Sequence, residues 1–76
     1  MARITPVDWR TLIMIFELHG CTYQRKKGSH HILICPDAKR VVVIPEYDQI
    51  DVEIIKNNMR TASMSRDEYF DLLQRL

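Results

Sequence analysis

Two adjacent histidines, His30 and His31, follow Lys26-Lys27-Gly28-Ser29 in a stretch flanked by strand-favouring residues. Histidine is the side chain whose unperturbed pKa lies nearest neutrality, so it takes and gives protons without special tuning. Lysines beside it hold a phosphate by charge. Gly28 suits a tight turn or a close phosphate approach, and the Ser29 hydroxyl can bond a phosphate or cap that turn. These residue types at this spacing point to a bound phosphodiester and a proton moved by an imidazole. Arg25 is a further, more distant cation in the same run. Strand alternation sends His30 and His31 to opposite faces, so only one of them can belong to a given site.

Other chemistries fit less well. His30, His31 and Cys35 lie close in sequence, but their spacing matches no C-x-x-C or H-x3-H pattern and alternation separates them, so no metal and no cofactor is expected. Cys21 and Cys35, the two cysteines, read as reduced thiols packed as small core residues. Trp9 and Phe16 read as core, and Met14, Met59 and Met64 as helix packing. Tyr23 and Tyr47 are the aromatics that could stack on a base near the basic region, or simply pack.

The elements that must position these residues follow from the pattern of 76 residues, expected to form one domain over 1–76. Thr5-Pro6-Val7-Asp8 reads as a helix start, with Thr5 as cap, Pro6 in the first turn and Asp8 against the dipole. Trp9, Leu12, Ile13 and Phe16 then recur at helical spacing, and Gly20 ends a helix expected over 6–19. Residues 22–26, 29–35 and 40–44 are three β-rich runs, broken at Gly28 and at Pro36-Asp37-Ala38-Lys39. Such short gaps imply an antiparallel meander. Helices are expected over 51–62, capped by Asp51, and over 66–75. Ser65-Arg66-Asp67-Glu68 supplies a capping box there, and Met64 and Tyr69 a hydrophobic staple. The fold class is therefore α+β, with helices packed on one side of a small three-stranded sheet.

A hydrophobic fraction of 46% is too high for a disordered chain. The net charge of +1 hides a polarity. Residues 1–45 carry seven Lys/Arg against three Asp/Glu, a balance of +4, while residues 46–76 carry four against seven, a balance of −3. The basic part coincides with the β-rich runs, which suits a nucleic-acid face there and leaves the acidic part for other contacts. The densest apolar run, Leu12 to Phe16, is five residues. A cytoplasmic protein with no membrane association is expected.

Several of these residues together resemble a known family. The lysine-rich lead into Gly28-Ser29-His30-His31 comes first, followed by the Ile32 strand and the Val42-Val43-Ile44-Pro45 strand end. Ile54-Ile55-Lys56 and Met64-Ser65-Arg66-Asp67-Glu68-Tyr69-Phe70 close the pattern. In this order they are similar to the HicA toxins of bacterial and archaeal toxin–antitoxin pairs, over nearly the whole chain. The resemblance implies a double-stranded-RNA-binding-like α-β-β-β-α fold, here with a short extra C-terminal helix. It also implies ribonuclease activity on translated mRNA without a metal cofactor, and a HicB-like antitoxin as partner. The family's essential histidine follows the Gly-Ser (or Gly-Asp) pair, which maps to His30. Two positions depart from the family pattern. Many members carry Pro-x-His after the third strand, where this chain has Pro45-Glu46-Tyr47 and so a carboxylate near the expected RNA face. Many carry glycine between the last two helices, where this chain has Ser63.

Two functions are thus open. In the first, the chain is an endoribonuclease in which His30 is the proton-transferring residue. Lys26, Lys27, Gly28, Ser29, His31 and Arg25 then bind the RNA, His31 having a structural or solvated role as its alternative. In the second, the same fold is a non-catalytic module that binds RNA without cutting it.

Overall fold

A computed structural model of the chain describes residues 3–76. The first helix, α1 (Trp9–His19), begins later than the spacing predicts. Asp8, not Thr5, is its cap: the Asp8 backbone is extended and its carboxylate accepts from the Thr11 N–H and hydroxyl. The residues before it are kept out of the helix by a bridge between Val7 and Ile50, in which the Ile50 N–H donates to the Val7 carbonyl at 2.8 Å. Gly20 ends α1 as expected, with φ +116. The Gly20 and Cys21 N–H groups donate back to Glu17 and Phe16, the Schellman arrangement that needs a left-handed residue.

Three strands follow, β1 (Thr22–Lys27), β2 (His30–Ile34) and β3 (Val42–Pro45), in an antiparallel sheet of order β1-β2-β3. The second is one residue shorter than the β-rich run at each end: Ser29 belongs to the turn, and Cys35, bonded to Cys21, follows the last ladder pair, Thr22 with Ile34. The expectation of two reduced thiols is corrected here: both sulfurs are buried, as core residues are, but they are bonded to each other. β3 ends one residue late, at Pro45, which stands opposite His30.

Helices α2 (Val52–Thr61) and α3 (Arg66–Gln74) complete an α-β-β-β-α-α order. Asp51 occupies the cap position of α2 without a side-chain bond, whereas Ser65 and Glu68 make the full capping box of α3. Met64 and Tyr69, placed for the staple, are both buried.

The helices cover one face of the sheet. Leu33, Val42 and Ile44 point into it and are fully buried against Leu12, Ile15 and Phe16 of α1 and Ile55 of α2. Ile34 and Val43 lie on the other face and remain exposed. Met14, expected to pack, also faces solvent, since Leu12, Ile15 and Phe16 take the buried stripe of α1. The outer edge of β3 is closed by a residue the sequence did not single out. Asn58, buried on α2, donates through Nδ2 to the Val43 carbonyl at 2.9 Å and accepts from the Val43 N–H at 3.4 Å. One side-chain amide thus stands in for a missing strand neighbour.

Candidate functional site

The β1–β2 hairpin turns on two residues, Gly28 and Ser29. Gly28 takes φ +60 and Ser29 does not take a positive φ, the pattern of a type II′ turn with glycine at its first central position. A Cβ on Gly28 would meet nothing within 4 Å, so glycine is used here for its dihedral and not for space. The turn fixes the register: Lys27 pairs with His30, Lys26 with His31 and Arg25 with Ile32. Directly opposed residues of an antiparallel pair share a face. Lys27, His30 and Arg25 therefore stand together on the open face, and all three are exposed.

A bulge between Tyr23 and Arg25 makes that grouping possible. Strict alternation would send Tyr23, Arg25 and Lys27 to the same side. The extra residue at Gln24 returns Tyr23 to the helix side, opposite Leu33, while Arg25 keeps to the open side. At the other end of the site β3 reaches past Pro45, and the Glu46 N–H donates to the Ser29 carbonyl at 2.9 Å. The turn is thereby tied to the third strand.

Lys26 and His31 lie on the helix face, away from His30. His31 is only 5% exposed. Its ring stacks on Trp9 with centroids 4.4 Å apart and planes 7° from parallel. Its Nδ1 lies 2.9 Å from the Tyr23 hydroxyl and its Nε2 3.0 Å from Glu46 Oε1. Lys26 Nζ reaches the same Glu46 oxygen at 3.1 Å. The His31 bond, and after it the Lys26 bond and charge, hold the Glu46 carboxyl below its ordinary range. The Arg10 guanidinium carbon lies 4.4 Å from the centroid of the Trp9 ring, a cation–π contact.

The six residues expected to bind RNA are thus divided by the sheet, with His31 turned away from His30 as strand alternation predicts. Lys27, Arg25, Gly28 and Ser29 gather with it on the open face or at the turn, whereas Lys26 and His31 belong to a second cluster behind. Trp9 is half-buried and supports a histidine, a role its spacing on α1 did not disclose. Tyr23 is held by its phenol, while Tyr47, 52% exposed, is anchored through its backbone carbonyl, which accepts from the Trp9 N–H. Glu46, not among the expected site residues, had a sequence signal in the Pro45-Glu46-Tyr47 departure.

Among the described residues no three His, Cys, Asp or Glu side chains gather where they could hold a metal ion. No helix among them is long and apolar enough to cross a membrane.

Residues 9–64 match the family described as HicA toxin of bacterial toxin-antitoxin. No curated protein and no solved structure matches. The matched span begins at the first residue of α1, takes in the whole sheet with its Lys27–His30 pair, and closes at Met64 before α3. With most of its length inside that span, the chain belongs to the HicA toxin family of toxin–antitoxin systems.

Proposed function

We propose that this toxin is a metal-independent endoribonuclease acting on mRNA in the cytoplasm, with His30 as its catalytic residue. The observation that carries the reading is the Lys27–His30 pair: a cation and an exposed imidazole opposed across a turn, on a face no helix covers. Membership of a toxin family agrees with it, because cutting messages stops growth.

Attack of the ribose 2′-oxygen on the adjacent phosphorus needs three things. The 2′-hydroxyl must lose its proton, the phosphorane oxygens must be stabilised, and the departing 5′-oxygen must gain a proton. The product pair is a 2′,3′-cyclic phosphate and a free 5′-hydroxyl, with no co-reactant consumed. His30 takes or gives one of the two protons. Lys27 neutralises charge on the phosphate, Arg25 holds the strand further along β1, and the Gly28-Ser29 turn offers a backbone that RNA can approach closely. Lys26 and His31 contribute binding from the other face. Among the described residues no second histidine stands with His30, His31 lying on the other face, so slow turnover or a contribution from a lysine or the backbone is expected.

A toxin of this kind needs a neutralising partner, and an antitoxin of the HicB type covering the His30 face is the fitting one. A chain that binds RNA without cutting it is the competing reading. Labelled RNA incubated with the protein in excess chelator separates the two. Fragments formed without metal support the enzyme, whereas RNA that stays intact and migrates as a complex supports the module.

A further inference from the structure

Lys26 Nζ and His31 Nε2 converge on one atom, Glu46 Oε1, at 3.1 and 3.0 Å. An ionised carboxylate only accepts, so Nε2 carries a proton in this contact, and in the neutral ring the Tyr23 phenol donates to Nδ1. The Trp9 stack fixes the plane of the ring. Two donors held around a single anionic oxygen are the parts of a phosphate-oxygen site. The carboxylate filling it is within reach of solvent, its side chain being 30% exposed and that of Lys26 49%.

We propose that Lys26 and His31 form a second phosphate-binding position, behind the hairpin, which Glu46 occupies in cis as a competitor that RNA must displace. The proposal rests on the RNA-cleaving reading above and specifies its substrate. Lys27–His30 and Lys26–His31 are successive ladder pairs on opposite faces of the sheet. A flexible single strand crossing the hairpin end sets one phosphate against each face, whereas a stiff duplex cannot bend round a sheet edge. The substrate class is single-stranded RNA. Displacement is feasible at the Lys26 contact, where an ion pair between partly exposed groups is weak and salt-sensitive and a polyanion outcompetes a lone carboxylate. The His31 side chain is 6% exposed, so its Nε2 is reached only through the place the carboxylate vacates.

The test uses the full chain carrying His30→Ala, which removes cleavage, with and without Glu46→Gln. Glutamine keeps an acceptor for His31 Nε2 and removes the charge. Single-stranded RNA should bind the Glu46→Gln chain roughly three- to tenfold more tightly. Its affinity should fall more steeply with salt, by about 0.7 in the logarithmic slope for one added phosphate contact. Both gains should vanish when Lys26→Ala is added. Equal or weaker binding after Glu46→Gln, or a gain that survives Lys26→Ala, overturns the proposal. Inorganic pyrophosphate gives an arm independent of RNA, followed through the NMR signals of the His31 ring. Those signals should move at lower pyrophosphate concentration once Glu46 is neutral, and a ring that responds in neither chain overturns the site. If the chain fails to bind RNA at low salt but the pyrophosphate response is present, the anion site stands and the RNA-cleaving reading falls.

Discussion

His30 and His31 stand back to back on β2, one ring open to solvent and the other 5% exposed against Trp9. Neighbours in sequence, they answer to different physics. His30→Ala should leave the melting temperature almost unchanged, since exposed positions without partners contribute within about 0.5 kcal/mol. His31→Ala opens a hole beside Trp9 and strips Tyr23 and Glu46 of a partner, which should destabilise the chain by about 2–3 kcal/mol. Denaturant melts of the two variants measure the difference directly, and equal stabilities would mean that the Trp9 stack carries no weight.

Ser63 is strained and glycine should relieve it. The residue sits at φ +54 just past α2, where the Ser63 N–H donates to Arg60 and the Met64 N–H to Met59. That is the Schellman arrangement with a side chain at its left-handed position, where an L-residue costs about 1–2 kcal/mol. Ser63→Gly should stabilise the fold by about 0.5–1 kcal/mol after the added freedom of the unfolded glycine is set against it. Thermal or urea unfolding checks the sign.

Asn58 should be among the least replaceable polar residues. Its amide is the side-chain partner of both the Val43 N–H and the Val43 carbonyl. Asn58→Ala leaves two backbone groups of the edge strand without those bonds, for a loss of about 1–3 kcal/mol. Asn58→Asp sets a carboxylate oxygen against the Val43 carbonyl, two acceptors face to face on a buried residue, and should cost at least as much. Hydrogen exchange at the Val43 amide reads the loss locally, and unchanged protection in Asn58→Ala would refute this assignment.

Acid should weaken the fold in a defined window. The Thr11 hydroxyl and N–H hold the Asp8 carboxyl below its ordinary value of 3.8, and His31 and Lys26 hold Glu46 below 4.5. Both groups bind fewer protons folded than unfolded, so their contribution is complete above those ordinary values and is lost as pH drops through the lowered ones. The share of stability that these two carboxyls contribute should be constant above about pH 5 and decline below it. Tyr69 acts at the opposite end, because burial raises its hydroxyl above 10.0 and stability should fall as pH climbs past that value. In Asp8→Asn the acid limb should be shallower, and in Tyr69→Phe the alkaline limb should flatten.

The elements could be read from local signals: the Gly20 terminator, the Ser65–Glu68 capping box, and the Gly28 turn that opposes a lysine to His30. Each is complete within a few residues. What escaped were relations across the fold. The start of α1 depends on Ile50 holding Val7, forty-three positions away, and the cap then passes to Asp8. The edge of β3 depends on an asparagine of α2. The Cys21–Cys35 bond joins the two ends of the hairpin, which residue types alone could equally have left as two thiols. Lys26 followed the same logic. Its place beside Lys27 suggested a shared site, but alternation turned it to Glu46 and His31, and the Gln24 bulge reversed the sides of Tyr23 and Arg25.

In the proposed mechanism His30 moves the proton. Cleavage of a single-stranded RNA should be followed under single-turnover conditions in chelator, comparing the unaltered chain with a His30→Ala chain of unchanged circular dichroism and melting temperature. General acid–base participation is worth about 10²–10⁴ in rate, so cleavage by His30→Ala should drop by that factor while RNA binding persists. A His30→Ala chain that cleaves at the rate of the unaltered one would remove His30 from the chemistry.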